Sequence, residues 1–124
     1  METRIKAQHF EYWRRRQAEH RAHSRQLAQH ARADVGRMVD VLVERYGAKR
    51  VVLFGSLARG RFAPGSDIDL AVEGIAPDDY FAAWAAVNRL THLWVDLKPL
   101  EDLDAYFRER VLATGECLYA RDVQ

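Results

Sequence analysis

The sequence predicts an α/β (α+β) fold, a small twisted mixed β-sheet with helices on one face, preceded by an N-terminal helical extension. Three observations predict it. Apolar residues recur every three or four positions from Leu27 to Tyr46, three short apolar runs follow between turn residues, and helical spacing returns after the second and third of those runs.

Leu27, Ala31, Val35, Met38, Leu42 and Tyr46 form one stripe of an amphipathic helix, which Gly47 stops. Upstream, residues 3–26 hold few helix breakers but only scattered apolar anchors, Ile5, Phe10, Trp13 and Ala18, separated by arginines. That stretch reads as a helix poorly supplied with core. Residues 50–54 are a β-branched and apolar run bounded by Gly47 and Gly55, the pattern of a buried strand. A second strand, 67–72, is entered through Pro64, Gly65 and Ser66. Pro77 and Asp78 open a helix with Tyr80, Trp84, Val87 and Leu90 at helical spacing. Residues 93–98 make a third strand, 101–113 a last helix stopped by Gly115, and 117–120 a short edge strand.

At 124 residues the chain has the size of about one domain. Hydrophobic residues at 48% and charged residues at 30% supply a modest core and argue against a disordered chain. The longest run without a polar side chain, residues 81–87, is far short of the roughly 20 residues that cross a bilayer. No apolar stretch follows the first basic residues, so no secretory signal is read, and the expected location is cytoplasmic. Cys117 is the single cysteine, which excludes an intramolecular disulfide and a cysteine-based zinc cluster; a small half-buried hydrophobe is expected there. Charge is uneven. Residues 1–34 hold eight Lys/Arg against four Asp/Glu, giving +4, and the remaining 90 hold eleven against fourteen, giving −3. A compositional step near Gln26 divides the chain into a basic helical extension, 1–26, and a domain, 27–124.

Residues 51–72, VVLFGSLARGRFAPGSDIDLAV, carry two devices. Gly55-Ser56 falls where a buried strand turns into a short helix, a place where backbone N–H groups favour an anion; an ordinary turn has the same appearance. Asp67 and Asp69 are two apart in a strand, hence on one face and about 7 Å apart, with Ile68 and Leu70 pointing to the core. Paired carboxylates repel unless a cation lies between them, and Mg²⁺ suits such a pair together with substrate phosphates. Asp96 stands between Val95 and Leu97 and faces the same side if its strand is a neighbour.

The pattern Gly55-Ser56, Ala58-Arg59-Gly60, Ser66-Asp67-Ile68-Asp69-Leu70 and the later Asp96 resembles the nucleotidyltransferase superfamily of DNA polymerase beta, in particular its minimal nucleotidyltransferases, over residues 51–120. The resemblance implies the nucleotidyltransferase fold, with Asp67 and Asp69 coordinating two Mg²⁺ ions on a nucleoside triphosphate, ATP. It implies Asp96 as a further metal ligand and as the base that deprotonates the attacking hydroxyl. Gly55 and Ser56 would bind the β- and γ-phosphates, with Arg59 of the same pattern a further nucleotide-binding candidate. Lys98 and Trp94 share the strand face of Asp96; Lys98 is placed to touch the triphosphate, and Trp94 reads either as a base platform or, preferably, as core.

Minimal nucleotidyltransferases are commonly encoded beside a small helical HEPN ribonuclease, which they neutralise as antitoxins by AMP transfer onto a tyrosine. The resemblance therefore implies a HEPN-type toxin as partner. Two other readings stand beside it: a nucleotidyltransferase acting on a small molecule such as an aminoglycoside, and a binding module that blocks its partner sterically. The absence of a substrate domain in the sequence weighs against the first, and the retained acids and Gly55-Ser56 against the second. Arg14, Arg15, Arg16, Arg21 and Arg25 read equally as an RNA contact or as a solvated helix face. Phe10, Tyr12 and Trp13 are expected to dock the extension onto this domain, a second copy in a homo-oligomer, or a partner. His9, His20, His23 and His30 share an arc but lack an orienting carboxylate, so a solvated face is preferred to a metal site.

Overall fold

The apolar stripe that starts at Leu27 becomes the buried face of one long helix. The computed structural model describes residues 7–121 and gives α1 the span Ala7–Glu44, 38 residues or about 57 Å. Ala31, Val35, Met38 and Leu42 are its buried residues, the middle of the expected stripe. Removal from water contributes about 2 kcal/mol for each of the larger ones. No residue of 7–26 is buried and only Ala22 and Ser24 are half-buried, so the first five turns gain little from packing. The compositional step at Gln26 falls inside α1 and marks where the helix leaves the sheet. The helix start expected at residues 3–6, with its Ile5 anchor, lies outside the described residues. Gly47 ends the element in the left-handed region at φ 71°, and the Ala48 N–H returns to the Leu42 carbonyl at 3.0 Å.

The chain continues through β1 (Arg50–Phe54), α2 (Gly55–Ala58), β2 (Ile68–Glu73), α3 (Tyr80–Asn88), β3 (Val95–Pro99), α4 (Ala105–Thr114) and β4 (Glu116–Ala120). Pro77–Asp79 forms a 3₁₀ turn before α3, and Leu100–Asp102 another after β3. The helix expected over 101–113 is therefore split: Leu103 is extended, and α4 starts afresh where the Asp104 carboxylate accepts the Phe107 N–H at 2.9 Å. The strand order is β3-β2-β1-β4, with β2 and β3 parallel and β1 antiparallel to both its neighbours.

Val51, Leu53, Ile68, Leu70, Val72, Val95 and Leu97 pack on one sheet face against α1 and α3. The alternate residues Val52 and Ala71 face the other way and meet Leu100 of the second 3₁₀ turn and Val111 of α4. The expectation of helices on one face thus holds for α1 and α3 but not for α4. The reason is that the central strands are apolar on both sides, and the second side also needs cover. Cys117, expected half-buried, is exposed on the edge strand β4.

Candidate active site

Antiparallel β1 finishes at the sheet end where parallel β2 and β3 begin, so residues far apart in sequence converge there. Phe54 lies opposite Asp69, and Asp69 lies opposite Asp96 across the β2–β3 ladder. Asp69 and Asp96 share a sheet face by register alone, the face opposite α1 and α3. Asp67 stands one residue before β2 rather than within it and is exposed. The ladder begins instead with the Ile68 N–H donating to the Trp94 carbonyl at 3.0 Å.

Gly55 opens α2 at φ 76°, a conformation that side-chain-bearing residues rarely adopt. A Cβ there would overlap Asp69 Oδ2 and lie 3.0 Å from its Cγ, so glycine alone lets the end of β1 rest against this carboxylate. Ser56 follows, and its carbonyl accepts the Arg61 N–H at 2.9 Å. Between Gly60 and Asp67 the chain is pinned by buried Phe62 and by Ser66, whose Oγ accepts the Ala63 N–H at 3.1 Å.

Like charges are crowded here. The Asp69 carboxyl is raised above its ordinary value of 3.8, first by burial, then by Asp96 and by Asp67, with Lys98 opposing. Lys98 Nζ is ion-paired with Asp96 Oδ2 at 3.0 Å. Tyr80 is pushed up to about 12 by burial and by the fields of Asp96 and Asp102. Carboxylates are the donors that a hard divalent cation takes, and Mg²⁺ needs only one or two of them when phosphates and water complete its shell. Asp69 and Asp96 meet that requirement as neighbours. No group of three His, Cys, Asp or Glu side chains among the described residues converges tightly enough to cage an ion by itself.

Several supports were not legible in the sequence. Asn88, at the end of α3, accepts the Val95 N–H at 2.9 Å and donates to the Val95 carbonyl at 3.1 Å, while Trp84 Nε1 donates to the same carbonyl at 2.7 Å. These bonds hold the free edge of β3 next to Asp96 and replace a missing strand neighbour. Trp94, preferred as core in the sequence, is 57% exposed and meets Trp84 edge-on at 6.0 Å. Phe81 is 74% exposed and stacks on Trp84 at 6.5 Å, so an aromatic patch flanks the acidic end of the sheet. A cavity of about 320 Å³ borders Gly55 on the other side, between Arg59 and α4. A larger groove of about 580 Å³ runs between α1 and the Gly60–Phe62 turn and contains Arg21, Arg25 and Arg32 but none of the three acids. Phe10, Tyr12 and Trp13 are all at least half exposed, so they are not docked on this domain.

A glycine-led strand end against paired carboxylates on a mixed sheet is the arrangement expected of a nucleotidyltransferase. The sequence model of the family described as polymerase beta nucleotidyltransferase matches residues 37–124, and the chain belongs to that family. A solved structure provisionally described as a minimal nucleotidyltransferase is 33% identical over 71% of this chain and 92% of its own, with a TM-score of 0.62. A chain of a toxin–antitoxin complex crystallised with AMP-PNP is 21% identical, with 69% of this chain and 73% of that one covered and a TM-score of 0.60. A chain of the MntA–HepT toxin–antitoxin is 18% identical, with 72% of each covered and a TM-score of 0.57. At those identities the last two speak for the fold alone. No curated protein matches the chain.

Proposed function

We propose that this chain transfers AMP from ATP to a hydroxyl, a tyrosine, of a HEPN-type partner toxin and so acts as its antitoxin in the cytoplasm. The observation that carries the reading is the Asp69–Asp96 register pair beside Gly55. Residues 27–124 form the catalytic domain, and 1–26 the basic extension. Asp67, Asp69 and Asp96 would hold Mg²⁺, two ions with the nucleotide bound, and the metal's contribution is to neutralise charge on the entering and leaving oxygens. Gly55, Ser56, Arg59 and Lys98 receive the phosphates. Asp96 takes the proton of the acceptor hydroxyl, and its ion pair with Lys98 holds the carboxylate in place beside Asp69. Pyrophosphate leaves.

A macromolecular acceptor is supported by the exposed Phe81 and Trp94 beside the acids, since aromatic residues anchor protein interfaces. The similarity to chains of toxin–antitoxin complexes supports a toxin as that macromolecule. The described helices include none long and apolar enough to cross a membrane.

The test combines the purified chain, ATP, Mg²⁺ and the product of the adjacent gene. The partner should gain about 329 Da per transfer, the mass of AMP less water. Asp96→Asn should slow the transfer by roughly 10²- to 10⁴-fold by removing the proton acceptor. Asp67→Asn with Asp69→Asn should remove the Mg²⁺-dependent rise in melting temperature that ATP gives the wild type. A partner of constant mass, still suppressed equally by wild type and by Asp67→Asn, would establish steric blocking in place of catalysis.

A further inference from the structure

The groove of about 580 Å³ between α1 and the Gly60–Phe62 turn has cations on both walls. On α1, Arg21, Arg25 and Arg32 line it. Together with Arg14 they fall within about 40° of one another around the helix and extend over about 27 Å of its length. No acidic residue of α1 shares that arc, and Arg15 and Arg16 lie about 100° and 160° from its centre. On the facing wall Arg61 is exposed between Gly60 and buried Phe62. Elsewhere Arg37 pairs with Asp34, and Arg108 with Glu73 at 3.1 Å. Arg32 pairs with Glu116 at 3.0 Å and donates to the Leu57 carbonyl at 3.4 Å, which ties its end of the groove to the domain. Arg21, Arg25 and Arg61 have no carboxylate partner among the described residues. So long a row of uncompensated guanidinium groups suits a polyanion.

The groove is polar where a partner helix would need it apolar. The line of α1 that carries Leu27, Ala31, Met38 and Leu42 continues upstream through Ser24, His20 and Gln17, so for about three turns it offers no apolar stripe. Beyond them on the same line, about two turns from His20, Trp13 is 62% exposed and keeps an open ring. A second copy of this chain does not fit by charge: α1 is itself basic here, α3 has no acidic residue, and α4 has only Glu109 between two arginines. A nucleic acid strand fits each part. Guanidinium groups pair with phosphates, an open indole stacks on a base, and the Ser24 hydroxyl and Gln29 amide on the groove wall are partners for ribose hydroxyls.

We propose that this groove binds single-stranded RNA, with Arg14, Arg21, Arg25 and Arg61 on successive phosphates, Trp13 stacked on a base, and Ser24 and Gln29 on 2′-hydroxyls. The surface lies apart from the AMP-transfer reading and does not depend on it. None of the three acids lines the groove, and its α1 wall precedes the residues, 37–124, that the family shares.

Fluorescence anisotropy of the full chain with a labelled single-stranded RNA of roughly 12 nucleotides, across a salt series, tests the groove. Four phosphate contacts at about 0.7 each predict a slope of log affinity against log salt of about −3. Arg21→Ala with Arg25→Ala should weaken binding about tenfold or more and bring the slope to about −1.5. Arg15→Ala with Arg16→Ala removes the same charge from the same helix and should leave affinity within about twofold, with the slope unchanged. Trp13→Ala should weaken binding about tenfold at an unchanged slope, as loss of one stacked base requires. These side chains are exposed, and matching circular dichroism melts show that the variants remain folded. A wild type that does not bind RNA, or equal losses in the two arginine pairs, overturns the groove assignment. Equal affinity for DNA of the same sequence overturns the contacts to 2′-hydroxyls and with them the choice of RNA. Poly-glutamate bound as tightly as RNA overturns it in favour of an acidic protein.

Discussion

Gly55→Ala tests the contact on which the site is built, and its cost can be worked out in two parts. The backbone part is the left-handed φ of 76°, which costs a residue with a Cβ roughly 1 kcal/mol. The second part is displacement of the Asp69 side chain, whose Oδ2 occupies the place of the new methyl and whose Cγ lies 3.0 Å from it. Rotating that carboxylate away from a staggered well adds about 1–2 kcal/mol. The total is about 2–3 kcal/mol. With an unfolding entropy near 2.1 cal/mol/K per residue, the chain should melt about 8–12 °C lower. Gly60→Ala supplies the reference, because Gly60 has φ 71° but nothing within 4 Å of where its methyl would stand, so about 4 °C is expected. Circular dichroism melting at one pH in metal-free buffer gives both shifts. In an Asp69→Ala background the excess cost of Gly55→Ala should vanish, as a double-mutant cycle requires for a direct contact. If Gly55→Ala costs no more than Gly60→Ala, or its excess persists without Asp69, the abutment of β1 on the carboxylate is wrong.

Two further outcomes follow from charge and burial. A carboxyl raised in the folded state binds its proton more tightly there than in the unfolded chain, so Asp69 costs stability as pH climbs from about 3.8 through its raised folded value, and the whole cost is present above it. Asp69→Asn should flatten that part of the stability–pH profile and melt higher than wild type at neutral pH without metal; superimposable profiles would show that the carboxylates do not interact as described. Deleting residues 1–24 removes no buried side chain among the described residues, so melting temperature and nucleotide binding should stay at wild-type levels while self-association or partner affinity changes. Calorimetry showing lost ATP binding in a folded truncation would place the extension in the catalytic unit.

Legibility followed from how local each determinant is. Arg50–Phe54 was readable to the residue because a run of apolar and β-branched side chains between Gly47 and Gly55 admits few alternatives. The shared face of Asp69 and Asp96 was readable too, since alternation with Val95 and Leu97 sets side-chain direction once the strands are neighbours. Asp67 shows the limit of alternation: a period-2 pattern continues into the residue before the ladder, where no register fixes it. Trp94 was misplaced for a similar reason. Its neighbours made a buried strand, but β3 starts at Val95, and Trp94, whose carbonyl accepts the first ladder bond from Ile68, keeps its side chain exposed at the strand entrance. The hold of Asn88 on Val95 and the position of Tyr106 and Arg110 across from Gly55 depend on packing between separate elements. Nothing within either segment announces them.

The division of the core explains how so small a chain can carry a crowded acidic site. Among the described residues, sixteen buried ones, from Ala31 to Leu97, lie in one cluster on the α1–α3 face, whereas four, Val52, Ala71, Leu100 and Val111, are buried together on the other. Most of the burial that opposes chain entropy is therefore gained on the face without acids. The other face can then tolerate the paired carboxylates of Asp69 and Asp96 and a positive-φ glycine, features that each cost stability. Topology places that tolerance at one sheet end. Because β1 runs against β2 and β3, the exit of β1 meets the entrances of the other two, and residues 54–55, 67–69 and 94–96 become neighbours without any insertion. Replacing an acid should accordingly relieve the fold while removing the chemistry. That opposition of stability and function separates this face of the sheet from the one beneath α1.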